Sequence, residues 1–181
     1  MTYLLNRFNL NPFHIEKSPI SGGSWVIFFS KGKRQISANL EKSIVQENNN
    51  KVNHLSSWDK FANGSIAHRK QTLDILESLN GKNIVGFGSS ARSQTYLNYC
   101  DINCGQIEAI IDNNPLKQGL FSPGSAIPIV NFKQGFALKP ELIFILAWNF
   151  KDEIVKLCRE SGYKGKFLLP FPREPYLYKV E

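Results

Sequence analysis

Gly86-Phe-Gly88-Ser-Ser-Ala91 is a GxGxxA pattern placed between the apolar run starting at Ile84 and a stretch of helix formers starting at Arg92. In a strand–turn–helix context each small residue has a use. Gly86 permits the tight turn, Gly88 lets a ligand approach the backbone, and Ala91 lets helix and strand pack closely; N–H groups at the helix start then suit a phosphate. Ser89, Ser90 and Ser93 add hydroxyls at that place and Arg92 adds a positive charge. Asp112 follows Gly88 by 24 positions, at the end of the next apolar run. A dinucleotide site holds a ribose there. The same glycines also suit a fold that binds nothing.

Two further clusters belong to the same chemistry. Asp112-Asn-Asn-Pro-Leu-Lys-Gln-Gly119 continues through Ser122-Pro-Gly-Ser125 to Ile127-Pro128, bringing Asn114, Lys117 and Gln118 into a long polar loop. Loops beside the carboxyl ends of strands are where open α/β sheets bind ligands. Ala147-Trp-Asn-Phe-Lys-Asp152 follows another apolar run; Trp148 is placed to stack on a base or sugar, or to fill the core, with Asn149 beside it. Together these residues point to a phosphorylated, nucleotide-bearing ligand. No nucleophile with a partner base accompanies them.

The elements that must position these residues follow from the hydrophobic pattern. After Gly81, short apolar runs alternate with helical segments: strands over 84–88, 107–112, 127–130, 142–147 and 166–169, helices over 92–100, 132–138 and 150–161. Strands apolar on both faces, separated by helices, predict a parallel sheet covered on both sides. The fold class is therefore α/β, a Rossmann-like parallel sheet with helices on both faces. Before it, residues 37–80 read as two helices split at Glu47-Asn-Asn-Asn50. The second has Ser56 or Ser57 as N-cap, a stripe from Trp58 and Phe61 to Leu76 and Leu79, and a stop at Asn80-Gly81. Residues 14–18 and 24–30 read as a hairpin preceded by the remnant of a helix. Its second strand, with Trp25, Ile27 and Phe29 on one face and Val26 and Phe28 on the other, needs cover on both sides.

Composition narrows the classes. With 181 residues, 42% of them hydrophobic and 12% aromatic, the chain has one sizeable core and at most a second small unit, and disorder is excluded. The net charge of +7 divides evenly about Gly81, so neither half is a basic tail and nucleic acid is not the expected partner. No apolar run approaches the roughly 20 residues that span a bilayer, and no secretory signal is visible after Met1, which predicts a cytoplasmic protein away from membranes. Cys100, Cys104 and Cys158 lack metal-binding spacing, so buried or idle thiols are expected and no metal site.

Phe87-Gly-Ser-Ser-Ala-Arg-Ser93 with Leu97-Asn-Tyr-Cys100, Ile111-Asp-Asn-Asn-Pro-Leu-Lys-Gln-Gly119, Ser122-Pro-Gly-Ser125, Ile127-Pro128 and Trp148-Asn-Phe-Lys-Asp-Glu-Ile154 resemble, in this order, the C-terminal domain of sugar C-methyltransferases. These are the deoxysugar 3-C-methyltransferases of antibiotic biosynthesis. The likeness covers nearly all of residues 82–172. It implies an enzyme of three parts: a zinc-binding part, a central domain that binds S-adenosylmethionine, and this Rossmann-like part, which helps hold a nucleotide-diphosphate sugar.

On that reading residues 1–31 are the remnant of the end of a methyltransferase domain, 32–81 a helical connector, and 82–181 the Rossmann-like C-terminal domain. The chain would bind no cofactor itself, S-adenosylmethionine belonging to the complete enzyme, and would work with a catalytic methyltransferase subunit or as a homo-oligomer. Gly88, Ser89, Ser90, Ala91, Arg92, Ser93, Asp112, Asn114, Lys117, Gln118, Trp148 and Asn149 would touch the nucleotide-sugar. The family's hairpin commonly carries a histidine, a candidate base, where this chain has Ser21. A lone serine hydroxyl cannot take a proton from a sugar carbon at neutral pH, so no catalytic residue is expected here. Two alternatives remain: a stand-alone nucleotide-sugar-binding module, and, on the GxGxxA and Asp112 alone, an NAD-dependent oxidoreductase.

Overall fold

The computed structural model describes residues 1–20 and 23–178. Ser21 and Gly22, and with them the hairpin position singled out above, lie outside the described residues. The chain divides into two compact units, Met1–Asn63 and Gly64–Glu181.

In the first unit, helix α1 (Thr2–Asn6) precedes an antiparallel hairpin of β1 (Asn11–Ser18) and β2 (Ser24–Ser30), followed by α2 (Ala38–Asn49). β1 begins at Asn11, three residues before the expected strand, because pairing continues across a register shift between Pro12 and His14. A bulge accommodates a residue without an N–H in this way. His14 fastens the hairpin to α2: its ring lies 2.8 Å from Ser37 Oγ and 2.9 Å from Glu16 Oε1, and Ser37 caps α2. β2 is apolar on both faces as expected, and Trp25 (52%) and Phe29 (48%) are exposed.

Helix α3 (Leu55–Glu77) crosses from one unit into the other. It starts one residue before Ser56, so neither expected serine caps it. Ser57 instead donates its hydroxyl to the Lys51 carbonyl in the preceding turn, at 2.8 Å. The stripe also divides. Leu76 and Leu79 are buried, whereas Trp58, Phe61 and Ile66 are exposed.

The second unit contains β3 (Ile84–Phe87), α4 (Ala91–Cys100), β4 (Ala109–Ile111), β5 (Ile129–Val130), α5 (Phe132–Ala137), β6 (Leu142–Ile145), a 3₁₀ turn (Trp148–Phe150), α6 (Lys151–Glu160), β7 (Lys166–Leu169) and β8 (Tyr176–Tyr178). The sheet order is β5-β4-β3-β6-β7-β8, parallel except for β8. From β3 the chain builds outward on one side through β4 and β5, then crosses back to lay β6 on the other side. The order therefore reverses between β3 and β6, the place where doubly wound sheets open a crevice. β8 was not expected; three residues after Pro172 and Pro175 give little strand signal, yet they pair with β7 and close that edge.

Strand residues alternate between two cores. Ile84, Ile110, Leu142, Phe144 and Leu168 face α3 and α4 with Leu76, Tyr96 and Leu97. Val85, Ile111, Ile143, Ile145 and Phe167 face the opposite side with Ile154 and Cys158 of α6. Both sides of the sheet are therefore dry, which is what lets parallel strands be uniformly apolar.

Burial pushes the Cys158 thiol up to about 12 and raises Cys100, Tyr96 and Tyr163 in the same direction. These groups stay protonated in the folded chain at pH values where they ionise once unfolded. The folded state therefore holds more protons above about pH 9, and stability falls as pH rises from there toward 12, by up to about 1.4 kcal/mol per pH unit for each such group. Urea unfolding at pH 7, 9 and 10.5 should show a midpoint that is steady to pH 9 and then drops. A Cys158→Ala chain should show a shallower drop; an identical pH dependence would assign the effect elsewhere.

Candidate functional site

The crevice expected from the reversal lies at the carboxyl ends of β3 and β6. The Phe87 carbonyl accepts hydrogen bonds from both Leu146 N (2.9 Å) and Ala147 N (3.0 Å), drawing the two strand ends together. Gly88 follows with φ +95°, and a Cβ on it would collide with the Ala147 side chain and lie 3.1 Å from its backbone nitrogen. The close approach that requires a glycine at position 88 is to Ala147, and Gly88 also lines the larger of the clefts described below. Gly86 is likewise enclosed, by Leu146 and Ile110.

The turn after Gly88 satisfies most of its own donors. Gly88 N donates to the Ile111 carbonyl (2.8 Å), Ser89 N to Asp112 Oδ2 (2.7 Å) and Ser90 N to Ser93 Oγ (3.2 Å). Ser90 in turn caps α4 by accepting from Ser93 N, completing a capping box. Of the outward-facing N–H donors expected from Ser89 to Arg92, those of Ser89 and Ser90 are already engaged. Ser93 is buried, its hydroxyl within 3.3 Å of the Leu146 carbonyl, and Ala91 sits on the exposed first turn of the helix.

Asp112 is held as firmly. Its Oδ2 also accepts from Lys117 Nζ (3.2 Å) and its Oδ1 from Asn114 N (2.9 Å), while Gln118 donates to its carbonyl (2.9 Å). Lys117 Nζ donates to the Ser89 carbonyl as well, at 2.7 Å. Asp112 and Lys117 therefore meet the turn after β3, with Asn114 and Gln118 holding Asp112 from behind, as an internal lock in which a carboxylate occupies the anion position and a lysine neutralises it. Asp112 is only 9% exposed, so water competes little for it. The second half of the loop is fastened elsewhere: Asn98 of α4 donates to the Pro123 carbonyl (3.0 Å), and a Cβ on Gly124 would strike the Asn98 carboxamide.

Two openings remain. The larger, about 430 Å³, lies between the turn after β3, the end of β4 and the start of α6; Phe87, Ala147, Phe150, Ile154 and Leu157 line it, with Ser89, Ser90, Asp112, Asn113 and Glu153 as its polar groups. The smaller, about 90 Å³, lies between the start of α4 and the 3₁₀ turn, bordered by Ser90, Arg92, Trp148 and Asn149. They adjoin, sharing Ser90, Ala147 and Phe150. Trp148 is half-buried and packs 4.7 Å from the Phe171 ring, beside Tyr96. Tyr96 is itself held by the Thr72 hydroxyl at 2.7 Å, so the wall is stiff.

The larger cleft also takes Asn113, Phe150, Glu153, Ile154 and Leu157, none of them singled out in the sequence, although all but Leu157 lie within the quoted motifs. Phe150, Ile154 and Leu157 recur at spacings of four and three, a helix stripe whose far end belongs to a cleft rather than to the core. A wider groove of about 610 Å³ at the other end of the sheet is bordered by Lys82, Lys139, Lys164 and Lys166 with Glu141, Gly162 and Gly165, and holds none of the residues of the Gly86–Ala91 turn or of the Asp112–Gly119 loop. Among the described residues no group of three or more His, Cys, Asp or Glu side chains is placed to hold a metal, and no helix is long and apolar enough to cross a membrane.

Fold and crevice define a Rossmann-like α/β domain with a cleft at its switch point. Residues 19–172 match the profile of the C-methyltransferase C-terminal domain, and the chain belongs to that family. Over 185 residues it is 26% identical to C-methyltransferase NovU of Streptomyces niveus, in an alignment that covers 98% of this chain and 43% of that protein. The chain thus spans less than half the length of the curated relative it matches.

Gly88→Ala tests the assignment of that glycine to the fold. It combines a disfavoured φ with a collision and should destabilise by at least about 2 kcal/mol in urea without any ligand present. An unchanged midpoint would return Gly88 to a ligand-binding role.

Proposed function

We propose that this domain is the nucleotide-sugar-binding C-terminal part of a sugar C-methyltransferase, an enzyme that moves the methyl group of S-adenosylmethionine to a carbon beside the keto group of a deoxysugar. The observation that carries the reading is the pair of adjoining clefts at the switch point of a chain of this family. The residues that would bind are Ser90, Arg92, Trp148 and Asn149 with the cleft behind them. The phosphates lie against the Arg92 guanidinium, since the turn itself has few donors left to offer. Residues 1–31 are the closing strands of a methyltransferase domain, and their two apolar faces are covered by a catalytic subunit or a second copy.

S-adenosylmethionine does not fit this crevice. A glycine-rich turn must be open to its amino-acid end and a carboxylate available to its ribose. Here Gly88 backs onto Ala147, and Asp112 is held by Ser89, Asn114 and Lys117. The same engagement of Asp112 weighs against an NAD-dependent oxidoreductase. Methyl transfer also needs a base, and Ser21 stands where the family's histidine is expected. Residues 1–181 are thus inactive alone, in a cytoplasmic setting where nucleotide-sugars are made. A second reading, a binding module that has lost catalysis, is favoured by Ser21 in particular.

Calorimetry with nucleotide-diphosphate sugars should give saturable binding that Arg92→Ala weakens about tenfold to a hundredfold, the loss of one charged hydrogen bond. S-adenosylmethionine should give no heat and no methyl incorporation. Micromolar binding of S-adenosylmethionine, or equal affinity of the Arg92→Ala chain, contradicts the assignment. Sedimentation should show self-association that rises with concentration and is lost on Trp25→Ser with Phe29→Ser; a strict monomer leaves only the catalytic subunit as cover.

A further inference from the structure

We infer that the larger cleft holds the nucleoside end of the ligand, with Glu153 accepting hydrogen bonds from it, so that the diphosphate leads out past Arg92 and the sugar lies beyond the Gly64–Glu181 unit. The inference rests on the reading of a nucleotide-sugar ligand and adds its direction.

The two openings differ in both size and chemistry. The larger, at about 430 Å³, is within the range that encloses a small organic molecule, and the smaller, at about 90 Å³, is far below it. Phe87, Phe150, Ile154 and Leu157 give the larger one an apolar and aromatic wall. A flat base gains from such a wall; a hexose, with a hydroxyl on nearly every carbon, would leave those hydroxyls unpaired against it. No lysine or arginine lines this cleft, and its two charged groups, Asp112 and Glu153, are both carboxylates. A phosphate placed there would meet the Glu153 carboxylate, while Lys117 is already engaged by Asp112 and the Ser89 carbonyl. The cation of the pair of openings is Arg92, in the smaller one.

Glu153 makes the cleft selective. It is exposed on the first turn of α6, where a carboxylate suits the helix dipole, and among the described residues it has no hydrogen-bond or ion-pair partner. Asp112, three times bonded, is not available in the same way. An ionised carboxylate only accepts. Its complement is a ligand with paired donors, such as a ribose diol or the ring N–H of a base. With the nucleoside against Phe150 and Glu153 and the diphosphate at Arg92, the sugar is carried past Trp148 and Asn149. This unit then holds the handle of the substrate and leaves the reacting carbon to other residues.

Binding of uridine diphosphate, thymidine diphosphate and guanosine diphosphate, their glucose conjugates, and glucose 1-phosphate, all measured on the full chain, tests the direction. The preferred nucleoside diphosphate should bind within about threefold of its glucose conjugate, and glucose 1-phosphate at least a hundredfold more weakly. Glu153→Gln should weaken the nucleoside diphosphate about tenfold in a chain that still unfolds cooperatively, its thermal midpoint lowered only by the loss of one helix-dipole charge, and Phe150→Ala should weaken it similarly. Glucose 1-phosphate competing as well as the conjugate, or full affinity in both variants while Arg92→Ala still weakens binding, would overturn the direction and leave the nucleotide-sugar reading standing. Binding of none of these probes would overturn both.

Discussion

Two amides share one acceptor where β3 meets β6: the Phe87 carbonyl receives Leu146 N and Ala147 N at 2.9 and 3.0 Å. That contact requires a residue without a side chain at Gly88, and it sets how far apart the strand ends stand. The neighbouring features follow from it. The turn after Gly88 must run on into α4 directly, Ala147 must be small, and the 3₁₀ turn must begin at once to carry the chain away. The clefts on either side of this seam are what the two departing helices leave uncovered.

The second constraint is electrostatic. A strand-to-helix turn of this kind gathers N–H dipoles and invites an anion. In this chain the anion is Asp112, supplied from the next strand and balanced by Lys117. An isolated carboxylate at this depth would be costly, and removing one partner would leave the other uncompensated. The pair, with Asn114 and Gln118, turns a loop of eight residues into a fixed ledge. In the proposed function, ligand recognition therefore falls to the flanks of the glycine turn, Arg92 on one side and Glu153 on the other.

Most of the second unit was legible because its strands are uniformly apolar and its helices are bounded by clear turn residues; Lys166–Leu169 was found to the residue. β8 was not, since Tyr176–Tyr178 becomes a strand only by pairing with β7. The start of α3 was misplaced because a serine near a helix start reads as a cap until its partner is known, and Ser57 looks backward to Lys51. The segments singled out in the sequence border the two clefts at the β3–β6 reversal, but what each residue does there was only partly readable. Spacing identifies a carboxylate at the end of β4; it cannot tell whether a ribose or a lysine five residues later will occupy it. Phe150 and Glu153 fall inside the Trp148–Ile154 motif, but nothing in their spacing marks them as cleft-lining rather than as ordinary helix-start residues.

The neutrality of the Asp112–Lys117 lock bears on how such sequences diverge. Both charges are answered inside the domain, so nothing about the bound molecule constrains them, and a lineage could exchange one substrate for another with the Asp-Asn-Asn-Pro-Leu-Lys segment intact. Persistence of that segment among descendants would be a fossil of architecture, whereas change at Glu153 would, on the proposed function, follow the ligand.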